Sequence, residues 1–164
     1  MKALFVGRFQ PFHKGHLKII KEASKKYDEV IIGIGSSQYK NTYKNPFTKN
    51  ERKNMIRKSL DDEAIDNYRI VFIPDIHNPP KWVDHVVSIV SDFEIVISNN
   101  DFTKKLFFEK GFTVKKTQLY DKNRYSGDVI RNKIKNDEKW QDLVPPEVLK
   151  IIKQVNGIKR IKSF

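Results

Sequence analysis

An unbroken apolar run, Ala3-Leu4-Phe5-Val6, is stopped by Gly7, and Leu17, Ile19, Ile20 and Ala23 then recur at helical spacing. The block between them, Gly7-Arg8-Phe9-Gln10-Pro11-Phe12-His13-Lys14-Gly15-His16, must therefore make a turn from a buried central strand into a helix. His13 and His16 lie three residues apart at the expected helix start. Their rings can share one face, beside free backbone N–H groups and the positive end of the helix dipole. That is a phosphate site in outline.

His13-Lys14-Gly15-His16 resembles the HxGH signature of the nucleotidyltransferase superfamily, and the ten-residue block resembles that of the archaeal-type nicotinamide-mononucleotide adenylyltransferases. Class I aminoacyl-tRNA synthetases carry a related HxGH, but this chain is too short for them and contains no KMSKS. A second stretch, Tyr125-Ser126-Gly127-Asp128-Val129-Ile130-Arg131, resembles in part the superfamily's ISxTxxR, with Tyr125 in the place of Ile and Asp128 in the place of Thr. The resemblance runs from Lys2 to about the last helix.

The remaining pattern alternates. Val30-Ile31-Ile32-Gly33-Ile34 is a second buried strand, ended by Gly35-Ser36-Ser37. Strand, helix and strand with a right-handed crossover imply a parallel sheet, whose ligands bind beyond the carboxyl ends of the strands. Gln38 to Asn45 reads as a polar loop over that edge. Thr48-Lys49-Asn50-Glu51 matches a capping box, followed by Met55, Ile56 and Leu60 as an apolar stripe. Pro46-Phe47-Thr48 reads either as a plain helix entry with Phe47 as staple or as the segment that lets Lys44 reach a phosphate. Ile70–Ile73 is a third strand, and Asp75-Ile76-His77-Asn78-Pro79-Pro80 a loop too rigid and polar for helix. Trp82 opens a helix with Val83, Val86, Val87 and Val90 toward the core. Glu94–Ser98 is a fourth strand with Asn99-Asn100-Asp101 at its end, Phe102–Lys110 a helix stopped by Gly111, and Phe112–Val114 a short fifth strand.

From Ser126, a suitable N-cap, the chain turns helical with Val129, Ile130 and Ile134 as the apolar face and Arg131 on a different one. Pro145-Pro146 starts a last helix closed by Gly157, and residues 157–164 read as a basic tail. The expected fold is a single domain over residues 1–164: α/β, doubly wound and Rossmann-like, with a five-stranded parallel sheet, helices on both faces and a C-terminal helical segment. There is no GxGxxG and no Walker loop.

The chain has 32 Lys and Arg against 20 Asp and Glu, a net charge of +12, which favours polyanions: phosphorylated small molecules or a nucleic acid. The basic residues are dispersed and do not interleave with aromatics on any one strand, which argues against a specific nucleic-acid surface. No stretch is long enough to span a bilayer and no signal-peptide pattern is present, so a cytoplasmic protein is expected. With no cysteine, thiolate metal sites are excluded.

The resemblance implies an ATP-dependent adenylyltransferase that joins nicotinamide mononucleotide to AMP, giving NAD and pyrophosphate, with Mg²⁺ held mainly by substrate phosphates. Pantetheine-phosphate adenylyltransferases and cytidylyltransferases share HxGH and are the alternative. By the same resemblance His13, His16 and Arg131 are the catalytic candidates. ATP would touch Gly7, Arg8, Phe9, His13, Lys14, Gly15, His16, Tyr125, Ser126, Gly127 and Arg131. The mononucleotide would lie against Arg8, Lys44, Asn78, Asn99, Asn100 and Trp82, although Trp82 also reads as core filling. His77 and His85 carry no assignment. Small-molecule nucleotides are the expected partners, and a homo-oligomer, with a hexamer as one form, is implied by the resemblance alone.

Overall fold

A computed structural model describes residues 1–117 and 123–164. Five strands, β1 (Lys2–Gly7), β2 (Glu29–Gly35), β3 (Tyr68–Ile73), β4 (Ile95–Ile97) and β5 (Thr113–Lys115), form one sheet in the order β3-β2-β1-β4-β5. Every pairing is parallel, and Phe5 at the centre is in register with Ile32 on one side and Ile97 on the other. The connecting helices are α1 (Lys14–Lys26), α2 (Lys49–Asp62), α3 (Pro79–Ile89) and α4 (Asp101–Glu109). After β5 come α5 (Gly127–Lys135), a 3₁₀ turn at Gln141–Leu143, α6 (Pro146–Gln154) and α7 (Gly157–Lys162).

Strand side chains alternate between faces, so the sheet has two cores. Ala3, Phe5, Val30, Ile32 and Ile34 pack with α1, α2 and α5–α7, whereas Leu4, Ile31 and Val96 pack with α3 and α4. Chain order runs outward from β1 to β3, then returns to β4 on the other side of β1. The direction therefore reverses between β1 and β4, where an open parallel sheet leaves a crevice at its carboxyl edge. The expected doubly wound fold is what forms.

Beyond shifts of a residue or two at element ends, two segments differ in kind from the sequence reading. The segment expected to stay a loop through Pro80 is already helical from Pro79, because a proline in the first turn has no N–H to withhold. Residues 157–162 are a helix rather than a basic tail. Asn156 takes the left-handed turn (φ 55°) expected of Gly157, and Ile161 is fully buried. Arg160 then reaches back to the entry of α2, donating to Pro46 O at 3.0 Å and pairing with Glu51 at 2.7 Å.

The carboxyl edge is held together by side chains. Arg52 is fully buried on the stripe with Met55, Ile56 and Leu60, and no carboxylate pairs with it among the described residues. Its guanidinium donates instead to carbonyls: Arg8 O at 2.9 Å beyond β1, Gly35 O at 3.0 Å at the end of β2, and Thr48 O at 3.3 Å at the cap of α2. Burial pulls its pKa down to about 10, so it stays charged at neutral pH. Gln10, also buried, brackets Phe47 by donating to its carbonyl at 3.0 Å and accepting from its N–H at 2.9 Å. Replacing Arg52 by Met would strand these carbonyls out of water. Arg52→Met should lose about 3 kcal/mol of stability, read as a lower urea midpoint at unchanged m-value. Near wild-type stability would show that the carbonyls find other donors.

Candidate active site

The turn from β1 to α1 is closed by its two histidines. His13 is the N-cap of α1: its Nδ1 accepts the His16 N–H at 3.3 Å, while His16 Nδ1 accepts the His13 N–H at 3.2 Å. This is a capping box made by imidazoles. The rings stack with centroids 3.5 Å apart. Gly15 makes the approach possible, because a Cβ there would stand 3.0 Å from the His13 ring and 3.1 Å from Tyr125 Cβ. Phe12 stacks on the His16 ring at 5.7 Å and Phe9 meets it edge-on at 4.8 Å. Phe9 itself has a left-handed backbone (φ 55°), as do Ser36 beyond β2 and His77 beyond β3. Such non-glycine residues cost about 1 kcal/mol or more each; these three follow strand ends, and Asn41, Ala64, Asp137 and Asn156 share the conformation elsewhere.

The capping bonds fix the chemistry of the pair. A neutral ring that accepts at Nδ1 carries its proton on Nε2, so each histidine offers an N–H and no positive charge. Burial lowers the His13 pKa to about 3, and burial together with the neighbouring His13 holds His16 well below the usual imidazole range.

Three cavities open around this turn. The first, about 310 Å³, lies between β1 and β4 and is lined by His13, Gly15, His16, Asn99, Tyr125 and Ser126 among others. The second, about 360 Å³, gathers Arg8, Lys44 and Arg131 around His16 and Gly127. The third and widest, about 640 Å³, is bounded by Gly7, Arg8, Asn78, Trp82 and Asn100. They share walls: His16 and Gly127 border the first two, Arg8 the second and third, and Ser98 and Asn100 the first and third. A ligand pair can thus occupy separate cavities and meet beside Arg8 and His16.

Arg131 departs from its expected face. It is 5% exposed and shares the buried side of α5 with Ile130 and Ile134, as its spacing from Ile134 requires. Its Nη1 donates to Gln10 O at 2.7 Å, its Nη2 pairs with the exposed Asp128 carboxylate, and its Nε is buried without a partner. Gly127 allows that packing: a Cβ would stand 2.6 Å from Nη1 and 3.1 Å from Gln10 O. Ser126 caps α5, accepting from Val129 N at 3.1 Å.

Other expected residues fall differently. Lys14 is exposed on the first turn of α1 and lines none of the three cavities. Phe9 borders the second cavity while its side chain is buried in the core. Lys44 lines the second cavity and not the third, which puts its charge with Arg131 rather than beside Trp82. Asn99 borders the first cavity, not the third. Its amide is taken up by Thr117 beyond β5, with bonds of 2.6 and 3.0 Å. Asn100 caps α4 by accepting from Thr103 N at 2.9 Å, and Asn78 precedes α3 without a side-chain cap. Trp82 is half-buried, its ring meeting Phe107 at 77° and 5.6 Å, so it serves both core and cavity wall. Sequence reasoning missed Gln10 and Arg52. The signal for Arg52 was its i, i+3 and i+4 spacing to Met55 and Ile56; Gln10 had none beyond its place in the motif.

Histidines held neutral have a pH signature. Unfolded, an imidazole titrates near 6.5, whereas folded His13 titrates at about 3, so between these values the unfolded chain binds more protons. Stability contributed this way is complete above about pH 6.5 and is lost as pH falls toward 3. His13→Asn keeps an N-cap acceptor and removes the titration. The melting temperature should therefore fall less between pH 6.5 and about 5 in His13→Asn than in the wild type, ahead of most carboxylate titration. Equal slopes would mean that the ring is charged in the fold.

Comparison with known proteins agrees with this geometry. The cytidylyltransferase-like family model matches residues 4–143. The chain is 44% identical over 164 residues to the nicotinamide-nucleotide adenylyltransferase of Picrophilus torridus, covering 100% of this chain and 97% of that protein. It is 48% identical over 164 residues to the enzyme of the same name from Methanococcus vannielii, covering 100% and 95%. In fold it is similar to a Francisella tularensis bifunctional NMN adenylyltransferase/ADP ribose pyrophosphatase, solved with AMP and a manganese ion. The TM-score is 0.81 at 24% identity, over 99% of this chain and 52% of that one, so this chain spans about half of the bifunctional protein. With close to half of its residues shared along its whole length with enzymes of one name, the chain belongs to the cytidylyltransferase-like family and, within it, to the nicotinamide-nucleotide adenylyltransferases.

Proposed function

We infer that the protein is a nicotinamide-nucleotide adenylyltransferase, transferring AMP from ATP to nicotinamide mononucleotide with formation of NAD and pyrophosphate. The observation that carries this reading is the meeting of three cavities at Arg8 and His16, inside a chain of that family. In our assignment the adenosine lies in the first cavity, the triphosphate over the second, and the mononucleotide in the third with its ring on Trp82. A phosphate monoester oxygen attacks the α-phosphorus, one P–O bond forms, and the bond to the β-phosphate breaks to release pyrophosphate. The monoester is largely dianionic at neutral pH, so no protein base is needed.

The work of the chain is then alignment and charge stabilisation. His16 donates its Nε2–H to the α-phosphate, where negative charge builds during transfer, and His13 fixes the orientation of His16 through the capping bonds. Arg8, Lys44 and Arg131 supply the positive charge, with Arg131 on the departing phosphates. Tyr125, Ser126 and Gly127 line the adenosine side, and Asn78 and Asn100 the mononucleotide side.

A divalent cation, for which Mg²⁺ is our assignment, fits this site only as a companion of the substrate. Among the described residues no three His, Asp or Glu side chains are grouped to hold a metal, and the acid lining the second cavity, Asp128, is paired with Arg131. When bound, the ion would neutralise charge on the triphosphate and on the leaving pyrophosphate. Among the described residues no helix is long and apolar enough to cross a membrane. A cytoplasmic setting and a homo-oligomer belong to the proposal.

The direct test is incubation with ATP, Mg²⁺ and nicotinamide mononucleotide, reading NAD by a coupled dehydrogenase. His16→Ala should lower kcat by about 10²–10³ with a smaller change in KM. An unchanged kcat in a folded variant would remove His16 from the chemistry, and use of phosphopantetheine or CTP instead would move the protein to a sister branch.

Trp82 tests the ring assignment. Trp82→Ala should raise the mononucleotide KM by about tenfold or more, since stacking on a heteroaromatic ring is worth about 1–3 kcal/mol, while the KM for ATP stays near wild type. Trp82→Phe should recover most of the loss. A sharp drop in melting temperature with both KM values raised together would make the contact with Phe107 its whole role.

A further inference from the structure

We propose that Asp75 makes the widest cavity selective for a neutral pyridine carboxamide over the corresponding pyridine carboxylate. This rests on the assignment of that cavity to the mononucleotide and adds the determinant that reads the ring substituent.

Three ionisable side chains line the cavity: Arg8, Asp75 and His77. Arg8 also borders the phosphate-binding cavity, so the mononucleotide's phosphate belongs beside it. The pyridine end then lies toward the other wall, the segment after β3 that carries Asp75, His77, Asn78 and Trp82. The acid stands on the ring's side of the cavity and the cation on the phosphate's side.

Asp75 is held firmly. Gln38 brackets its backbone, donating to Asp75 O at 2.8 Å and accepting from Asp75 N at 2.9 Å. One carboxylate oxygen, Oδ1, accepts the His77 N–H at 2.8 Å, which fixes the side-chain rotamer. The other, Oδ2, takes no hydrogen bond among the described residues, with His77 Nδ1 at 3.9 Å. His77 in turn is engaged at Nε2 by the Tyr39 hydroxyl. The wall thus presents a fixed, anionic acceptor with a spare oxygen. A carboxamide NH₂ can donate to it, whereas a carboxylate brings like charge to like charge, and that wall carries no lysine or arginine to offset it.

A turn-cap role alone would need only Oδ1, and asparagine supplies that. Asp75→Asn keeps the acceptor for His77 N–H and removes the charge. The experiment compares kcat/KM for nicotinamide mononucleotide and nicotinic acid mononucleotide in wild type and Asp75→Asn, with ATP and Mg²⁺ at pH 8. The wild type should favour the amide, and the variant should narrow the ratio by about tenfold or more, chiefly by a lower KM for the carboxylate substrate, with the melting temperature unchanged. A ratio unchanged within about twofold in a stable Asp75→Asn protein overturns the proposal and leaves Asp75 as a turn cap. Failure of the wild type to use either mononucleotide would instead overturn the functional reading, and this proposal with it.

Discussion

The carboxyl edge of a parallel sheet presents strand-end carbonyls with no partner strand beyond them, and in this protein a single buried cation takes them up. Arg52 gathers the carbonyls that follow β1 and β2 together with the cap of α2, so three loops that share no backbone ladder are fixed to one planar group. A guanidinium suits this better than an ammonium, because its donors spread in a fixed fork. No carboxylate stands within ion-pair distance of it among the described residues; Glu51, paired with Arg160, acts on it only from further off. Gln10 and Arg131 extend the same device, one binding the turn to the entry of α2 and the other to α5.

What the edge presents to a ligand is graded. At the centre are two imidazoles, neutral by burial and oriented by each other's backbone, which donate without bringing charge. Around them stand Arg8, Lys44 and Arg131. Neutral donors hold their protonation state across ordinary pH, and under the proposed assignment the peripheral cations carry the Coulombic attraction toward a polyphosphate. Asp128 is the exception. It pairs with Arg131 Nη2, and both residues line the second cavity.

The sheet was legible because buried strands and amphipathic helices differ in period, and the ten-residue turn because its residue types are rare in combination. Less legible were residues whose role is set by distant backbone. Nothing in Glu51-Arg52-Lys53 separates Arg52 from a solvated base except its register with Met55 and Ile56, and the same register put Arg131 on the buried face with Ile134. Asn99 and Lys44 are assigned to the mononucleotide by the resemblance alone. Which cavity each borders depends on partners such as Thr117, well separated in sequence. The tail beyond Gly157 read as basic because its two isoleucines are too few to outweigh its lysines. The core they join, which includes Phe47 and Ile152, is assembled from elements far away in sequence, and Arg160 adds its pair with Glu51.

The bonds that finish the carboxyl edge are also among the longest in sequence. Gln10 waits for Arg131, 121 residues downstream, and Glu51 for Arg160, 109 residues downstream. On the ribosome, β1 to β3 can pair long before either arginine has left the exit tunnel. A nascent chain in that interval carries a sheet whose ligand-binding rim is still loose. ATP present during synthesis then has nothing assembled to grip, and ligand-assisted folding can act only on the nearly completed chain.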